Sequence, residues 1–107
     1  MELNILRADP AGNITVFVLD PVEKAQRAAI AEKIMAIPAL KAEQVGYACA
    51  AEDDVDGHME MMGGEFCGNA TRAYGMYIAQ QKGGLSSVRL RVSGCDHAVT
   101  AQVDLKS

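Results

Sequence analysis

The chain has 107 residues, half of them hydrophobic, which suits one domain with a single core. Its formal net charge of −4 argues against nucleic acid or an anionic membrane surface as the main partner, because both attract basic patches. No apolar run approaches the roughly 18 residues that cross a bilayer, and the N-terminus lacks the basic-then-apolar order of a secretory signal, so we expect a cytoplasmic protein.

In the first half of the chain, apolar segments at 3–6 and 15–19 flank turn-forming residues at 9–13, which predicts a hairpin. Asp20 is predicted to cap a helix with Pro21 in its first turn. Pro38 is predicted to end that helix. Four side chains at helical spacing predict its buried stripe: Ala29, Ile30, Ile34 and Ile37.

In the second half, the uncharged segment 45–51, an acidic turn and residues 58–62 predict another hairpin. A second helix follows Gly63-Gly64 and ends at Gly83-Gly84. Its buried side chains are predicted to be Ala70, Ala73, Tyr74, Tyr77 and Ile78. Alternation over 88–92 and 99–105 predicts a third hairpin. The order ββαββαββ favours one α+β domain, with a mixed or antiparallel sheet wrapped on a central second helix.

The three cysteines are Cys49, Cys67 and Cys95, an odd number at wide spacing without a CxxC pair, beside only two histidines. A disulfide framework and a zinc site are therefore poorly supported. Cys49 lies in an uncharged strand and Cys95 in a turn, where inert packing is the expected role of a thiol.

Cys67 differs because a glycine-containing loop becomes the first turn of an apolar helix at this residue. Backbone N–H groups in a first turn have no helical partners, and the helix dipole adds partial positive charge. A thiol there ionises more easily, and an anion can dock beside it. One element is thus predicted to hold both a carboxylate and a base.

Racemisation of an α-amino acid requires both a base and groups that bind the carboxylate. The base removes the α-proton while negative charge moves onto the bound carboxylate. Gly68 and Asn69 are predicted to donate the N–H groups. Gly68 has no side chain to obstruct the substrate.

Three motifs in the chain resemble those of one family. GGEFCGNATR at 63–72 resembles the first catalytic-cysteine motif of the diaminopimelate epimerase-like family. Gly12-Asn13 with TVFVLD at 15–20 resembles its opening hairpin, and VGY at 45–47 stands where the family has a matching strand entry. The motifs occur in the family's order across almost the entire chain.

The resemblance implies an amino-acid racemase or epimerase that uses neither a cofactor nor a metal. In such enzymes one cysteine thiolate removes the α-proton while a second thiol donates a proton to the opposite face. By similarity, Cys67 is the first of these cysteines, Gly68 and Asn69 hold the α-carboxylate, and Asn13 contacts the substrate.

The substrate is left open by the departures from the epimerase pattern. Ala48 and Cys49 follow Tyr47, where the epimerase has Asp-Gln, and the epimerase's polar Asn before the catalytic cysteine has no clear counterpart. Another amino acid, such as histidine, therefore fits at least as well as diaminopimelate. Tyr47, His58 and Glu60 are candidates to line its pocket.

In the family, the second cysteine comes from a second, similar half, which the 107 residues do not contain. We therefore expect this chain to be the N-terminal domain of a two-domain enzyme, completed by the missing C-terminal half or by a second copy in a homodimer. The rival functions are a carboxylate-binding domain without catalysis and a cysteine hydrolase or thiol-redox protein. Against a hydrolase, we do not expect Cys95 and His97 to act as a pair, and no histidine lies in the Cys67 motif.

Overall fold

The computed structural model describes residues 4–8 and 14–102, which form six strands and two helices. The elements are β1 (Ile5–Ala8), β2 (Thr15–Val18), α1 (Lys24–Met35), β3 (Gln44–Cys49), β4 (Gly57–Met61), α2 (Gly68–Gln81), β5 (Ser87–Val92) and β6 (Val99–Gln102). The predicted order ββαββαββ and the α+β class are confirmed. The predicted turn at 9–13 and the end of the last strand beyond residue 102 lie outside the described residues.

All six strands form one mixed sheet in the order β1-β2-β3-β4-β5-β6. Strands within each hairpin are antiparallel, whereas β2 pairs with β3 and β4 with β5 in parallel. The parallel pairs arise because a helix crosses over between successive hairpins.

The two helices cover opposite faces of this sheet, each over its own core. The α2-side core consists of Phe17, Met59, Met61, Ala70, Tyr74, Ala79, Val88, Leu90, Val92 and Ala101. The α1-side core consists of Val16, Val18, Ala31, Ile34, Val45 and Tyr47. Neighbouring side chains of a strand point to opposite faces, and both faces of β2 are covered. This strand is therefore buried throughout, with Phe17 on the α2 side.

Gly46 allows β3 to pass beneath the Phe17 ring. A β-carbon at Gly46 would lie 2.9 Å from Phe17 Cδ1 and 3.3 Å from Met59 Sδ. The ring of Phe17 lies 5.4 Å from that of Tyr74 in α2. The second helix is therefore seated on β2 as well as on the later strands, and the predicted buried face of α2 is confirmed: Ala70 and Tyr74 are buried, and Ala73, Tyr77 and Ile78 pack beside them.

The predicted start and packing face of α1 are partly wrong. Glu23, not Asp20, precedes its first residue, and no side chain caps it. The Asp20 carboxylate instead accepts bonds from the backbone and side-chain nitrogens of Asn4, 2.6 and 3.2 Å away. Ile34 is buried as predicted, but Ala29 and Ile37 are exposed, because Ala31 lies on the packed face and the helix ends before Ile37.

The end of α2 follows the prediction. Gly83 and Gly84 have φ of 90° and 92°, and Gly84 N donates to Ala79 O at 2.7 Å. Within residues 4–8 and 14–102, neither helix combines the length and apolar character required to cross a membrane.

Candidate functional site

Cys67 lies immediately before α2, with extended backbone angles of φ −132° and ψ 112°. Its carbonyl accepts bonds from the backbone nitrogen and the hydroxyl of Thr71, at 2.9 and 2.8 Å. The side chain is half-buried against the α2-side core. The predicted placement of this cysteine at a helix start is confirmed, and the two Thr71 bonds hold it there.

Gly68 and Asn69 are the first two residues of α2, so their N–H groups lie in the turn that has no preceding helical carbonyls. A β-carbon at Gly68 would meet only Arg72 Nη1 at 3.7 Å and Phe66 Cε2 at 3.9 Å, which are ordinary contacts. The fold therefore does not require glycine at position 68 for space. A ligand that approached this helix start closely from outside the domain would require glycine there.

Arg72 adds a positive charge to this helix end. Its guanidinium donates to Asn69 Oδ1 across one turn of α2. This contact brings a charged donor beside the predicted carboxylate position. The i, i+3 spacing of Asn69 and Arg72 on a predicted helix could have indicated the contact.

Gln44 contacts the Cys67 sulfur from the first position of β3. Its Nε2 lies 3.2 Å from Cys67 Sγ and 2.9 Å from Thr15 Oγ1. Thr15 is fully buried and is the register partner of Gln44 in the parallel β2–β3 pair. Nothing in the local sequence indicates this contact, because it depends on the pairing of strands far apart in the chain.

The turn after β5 supports the segment that leads into Cys67. Ser93 Oγ donates to Glu65 O at 2.6 Å and accepts from Met61 N at 2.8 Å. Gly94, with φ of 79°, lies so close to Phe66 that a β-carbon would be 2.3 Å from its backbone nitrogen. Sequence reasoning identified a turn here but not its contact with the loop before α2.

Asn13, the third predicted substrate contact, lies outside the described residues. In the sequence it precedes Thr15 by two positions. Its predicted role stays a prediction.

Cys49 belongs to a polar cluster on the α1 side of the sheet. Cys49, His58 and Glu60 each offer a ligand atom within 4.8 Å of the others. The Arg27 guanidinium, however, pairs with Glu60 and lies 3.7 Å from Cys49 Sγ. Since Arg27 already supplies the positive charge and would repel a metal ion, we interpret the cluster as a link between α1 and the sheet.

The titrations in this cluster agree with that interpretation. The hydrogen bond from Arg27 holds the pKa of Glu60 below its ordinary value. Burial, with a smaller effect of Glu60, raises the pKa of the Cys49 thiol, although Arg27 opposes the rise. Cys49 is thus biased towards the neutral thiol, which suits the inert role expected from the sequence.

The structure does not bring the pocket candidates Tyr47, His58 and Glu60 together with Cys67 within the described residues. His58 and Glu60 do line a cavity of about 580 Å³, but its described lining residues do not include Cys67. Tyr47 belongs to the α1-side core, whereas Cys67 packs against the other one. His58 and Glu60 alternate along β4 with Met59 and Met61, which belong to the α2-side core.

A family model described as the histidine racemase CntK N-terminal domain matches residues 2–107. The chain belongs to this family. It is 42% identical over 79 residues to a histidine racemase of Fusobacterium nucleatum subsp. nucleatum, an alignment that covers 72% of the chain and 27% of that relative. It is 34% identical over 99 residues to a histidine racemase of Staphylococcus aureus, covering 89% of the chain and 36% of that relative.

The chain therefore spans between 27% and 36% of the length of these relatives. Membership of the family agrees with the amino-acid racemase expected from the Cys67 motif. The matched residues include the Cys67 helix start and the strands β3 and β5, which bring Gln44 and the turn at Ser93 to it.

Proposed function

We propose that this chain is the N-terminal domain of a two-domain amino-acid racemase that acts on histidine. The family model and the two histidine racemases support the reaction class and the substrate. The observation that carries the proposal is the position of Cys67, a thiol at a helix start beside Gly68, whose open side leaves room for a ligand. No cofactor or metal takes part in the proposed reaction.

The substrate carboxylate would accept hydrogen bonds from the backbone N–H groups of Gly68 and Asn69, with Arg72 contributing positive charge. The Cys67 thiolate would then take the α-proton, so that the Cα–H bond breaks and an S–H bond forms. The electron pair left on Cα spreads onto the carboxylate, where the helix N-terminus stabilises it. The base and the anion-binding groups therefore act on the same intermediate.

A second thiol on the opposite face of Cα would return a proton there and become a thiolate, which inverts the centre. We propose that it belongs to a second half with a diaminopimelate epimerase-like relation to this one. The resemblance of residues 63–72 to that family's first cysteine motif supports this arrangement. A second copy of the chain in a homodimer is the alternative source of the thiol. Asn13 would complete the substrate contacts.

Deuterium incorporation at Cα of L-histidine in D₂O tests the proposal. It is measured with the 107-residue chain alone and with the chain supplied with the C-terminal half of a histidine racemase relative. We expect exchange with the assembled protein, its loss in Cys67→Ser, and its retention in the matched variant Cys95→Ser. Exchange that persists in Cys67→Ser would show that another group is the base.

A carboxylate-binding domain without catalysis is the second candidate, and the open helix start at Gly68 favours it as well. It predicts that Cys67→Ser leaves the affinity for histidine nearly unchanged while no exchange occurs even with the second half supplied. Titration calorimetry of the same two proteins therefore distinguishes the candidates.

A further inference from the structure

The Gln44 amide is placed to serve the Cys67 sulfur in either of its protonation states. Its Nε2 lies 3.2 Å from Cys67 Sγ and 2.9 Å from Thr15 Oγ1, so both amide hydrogens have a partner. A donor directed at sulfur stabilises a thiolate, which only accepts hydrogen bonds. This arrangement is the one that the thiolate needs.

A half-turn of the amide about its last side-chain bond exchanges Nε2 and Oε1. Oε1 then accepts from the Cys67 S–H and from the Thr15 hydroxyl, because a hydroxyl both accepts and donates. The same three side chains are therefore satisfied when Cys67 is a neutral thiol.

Because this contact is partly buried, an unpaired polar group costs more here than at the surface. Thr15 is fully buried, and Gln44 and Cys67 are half-buried. Unpaired polar groups in such a position are costly, so the amide has to follow the charge of the sulfur. The parallel register of β2 and β3 sets Gln44 directly beside Thr15.

We infer that Gln44 is a positioning residue for Cys67, a hydrogen-bond partner to the thiolate through Nε2 and to the thiol through Oε1. The inference rests on the proposed function, in which Cys67 changes protonation state at each proton transfer. Gln44 itself does not contact the reacting carbon; it acts through the sulfur.

The charged groups around this contact stay the same in Gln44→Met, whereas Gln44→Glu adds a carboxylate. Glu65 Oε1 accepts from Gly63 N, Arg72 binds Asn69, and Glu43, which precedes Gln44, is exposed. A change in thiol reactivity in Gln44→Met therefore reports on the amide.

The first test is the rate of alkylation of Cys67 by iodoacetamide against pH, read by mass spectrometry of its peptide in the full 107-residue chain. Only the thiolate reacts appreciably. Gln44→Met keeps the length of the side chain but has no N–H donor. We expect it to lower the alkylation rate at pH 7 about tenfold and to raise the midpoint of the rate–pH curve by about one pH unit. Gln44→Glu is expected to raise this midpoint further, since a carboxylate repels the thiolate.

The second test is the infrared S–H stretch of Cys67 at pH 5, taken as a difference spectrum against Cys67→Ser. Loss of the Oε1 acceptor in Gln44→Met is expected to shift this band to higher frequency, whereas Gln44→Glu keeps an acceptor and a lower frequency. Gln80→Met, the same substitution at an exposed position of α2, is the control and should change neither measurement.

An alkylation midpoint in Gln44→Met equal to that of the parent chain would overturn the inference, and so would an unshifted S–H band. If Gln44→Met does not fold by circular dichroism, Gln44→Glu decides, and a midpoint at or below the parent value overturns it. Neither readout requires turnover. Failure of the proposed function appears separately, as deuterium exchange that persists in Cys67→Ser.

Discussion

A β-carbon on Gly94 would lie 2.3 Å from the backbone nitrogen of Phe66. Phe66 precedes Cys67, so the turn after β5 lies directly against the segment that enters α2. No side chain fits between the two backbones, and Gly94 also has φ of 79°, which L-residues other than glycine seldom adopt. The position of the thiol therefore depends on a turn almost thirty residues away in sequence.

Gly94→Ala is expected to destabilise the chain and to move Cys67. A positive φ alone costs about 1–2 kcal/mol in an L-residue, and the contact with Phe66 adds to it. Gly83→Ala is the matched control, because Gly83 has φ of 90° but no atom within 4 Å of the added carbon. Urea unfolding and the alkylation rate of Cys67 measure the two effects. Equal losses of stability in both variants would contradict the role of the Phe66 contact.

Ser93→Ala is expected to loosen the same segment by removing one hydroxyl. Ser93 Oγ joins Met61 N to Glu65 O, and its loss leaves both groups without that partner. The free energy of unfolding should fall by about 1–3 kcal/mol, as for other lost bonds to partly buried groups. Ser86→Ala, at an exposed position, should change it by less than about 0.5 kcal/mol. A comparable effect of the two substitutions would exclude a bridging role for Ser93.

The elements could be predicted from the sequence because their signals are local. Alternation of apolar residues over 88–92 and helical spacing from Ala70 to Ile78 each lie within one element, and both predictions are confirmed. The predicted start of α1 was wrong because of a tertiary contact. Asp20 is a good capping residue, but Asn4, immediately before β1, binds its carboxylate.

The candidate site divides in the same way. Cys67, Gly68 and Asn69 are contiguous, so a loop-to-helix boundary was enough to place them together. Gln44 and Ser93 reach this segment only because β3 and β5 are neighbours of β4 in the sheet. Their contacts with it span more than twenty residues of chain, and strand order is not encoded in any local pattern.

Gly68→Ala separates folding from the proposed chemistry. The added methyl meets nothing closer than 3.7 Å, and alanine is the better helix former, so stability should be unchanged or higher by up to about 1 kcal/mol. The same methyl would lie where the substrate carboxylate approaches, so deuterium exchange into histidine by the assembled protein should fall. Gly75→Ala is the contrasting variant, since its β-carbon would lie 3.1 Å from Ala101 Cβ and tests packing instead. Full exchange activity in a stable Gly68→Ala protein would contradict carboxylate docking at this turn.

The Arg27–Glu60 pair makes the stability of the domain depend on pH in the acid range. The hydrogen bond from Arg27 lowers the pKa of Glu60 in the folded chain below the ordinary value of 4.5. Its contribution is therefore fully present above pH 4.5, and it is lost as the pH falls through the folded value, because protonation then favours the unfolded state. Glu60→Gln should lower the free energy of unfolding by on the order of 1 kcal/mol at pH 7, and this difference from the parent should shrink towards about pH 3. Urea unfolding at both pH values measures it, with the exposed Glu32→Gln in the same helix as Arg27 as the control. A difference between parent and Glu60→Gln that is equal at the two pH values would mean that Arg27 does not act through the charge of Glu60.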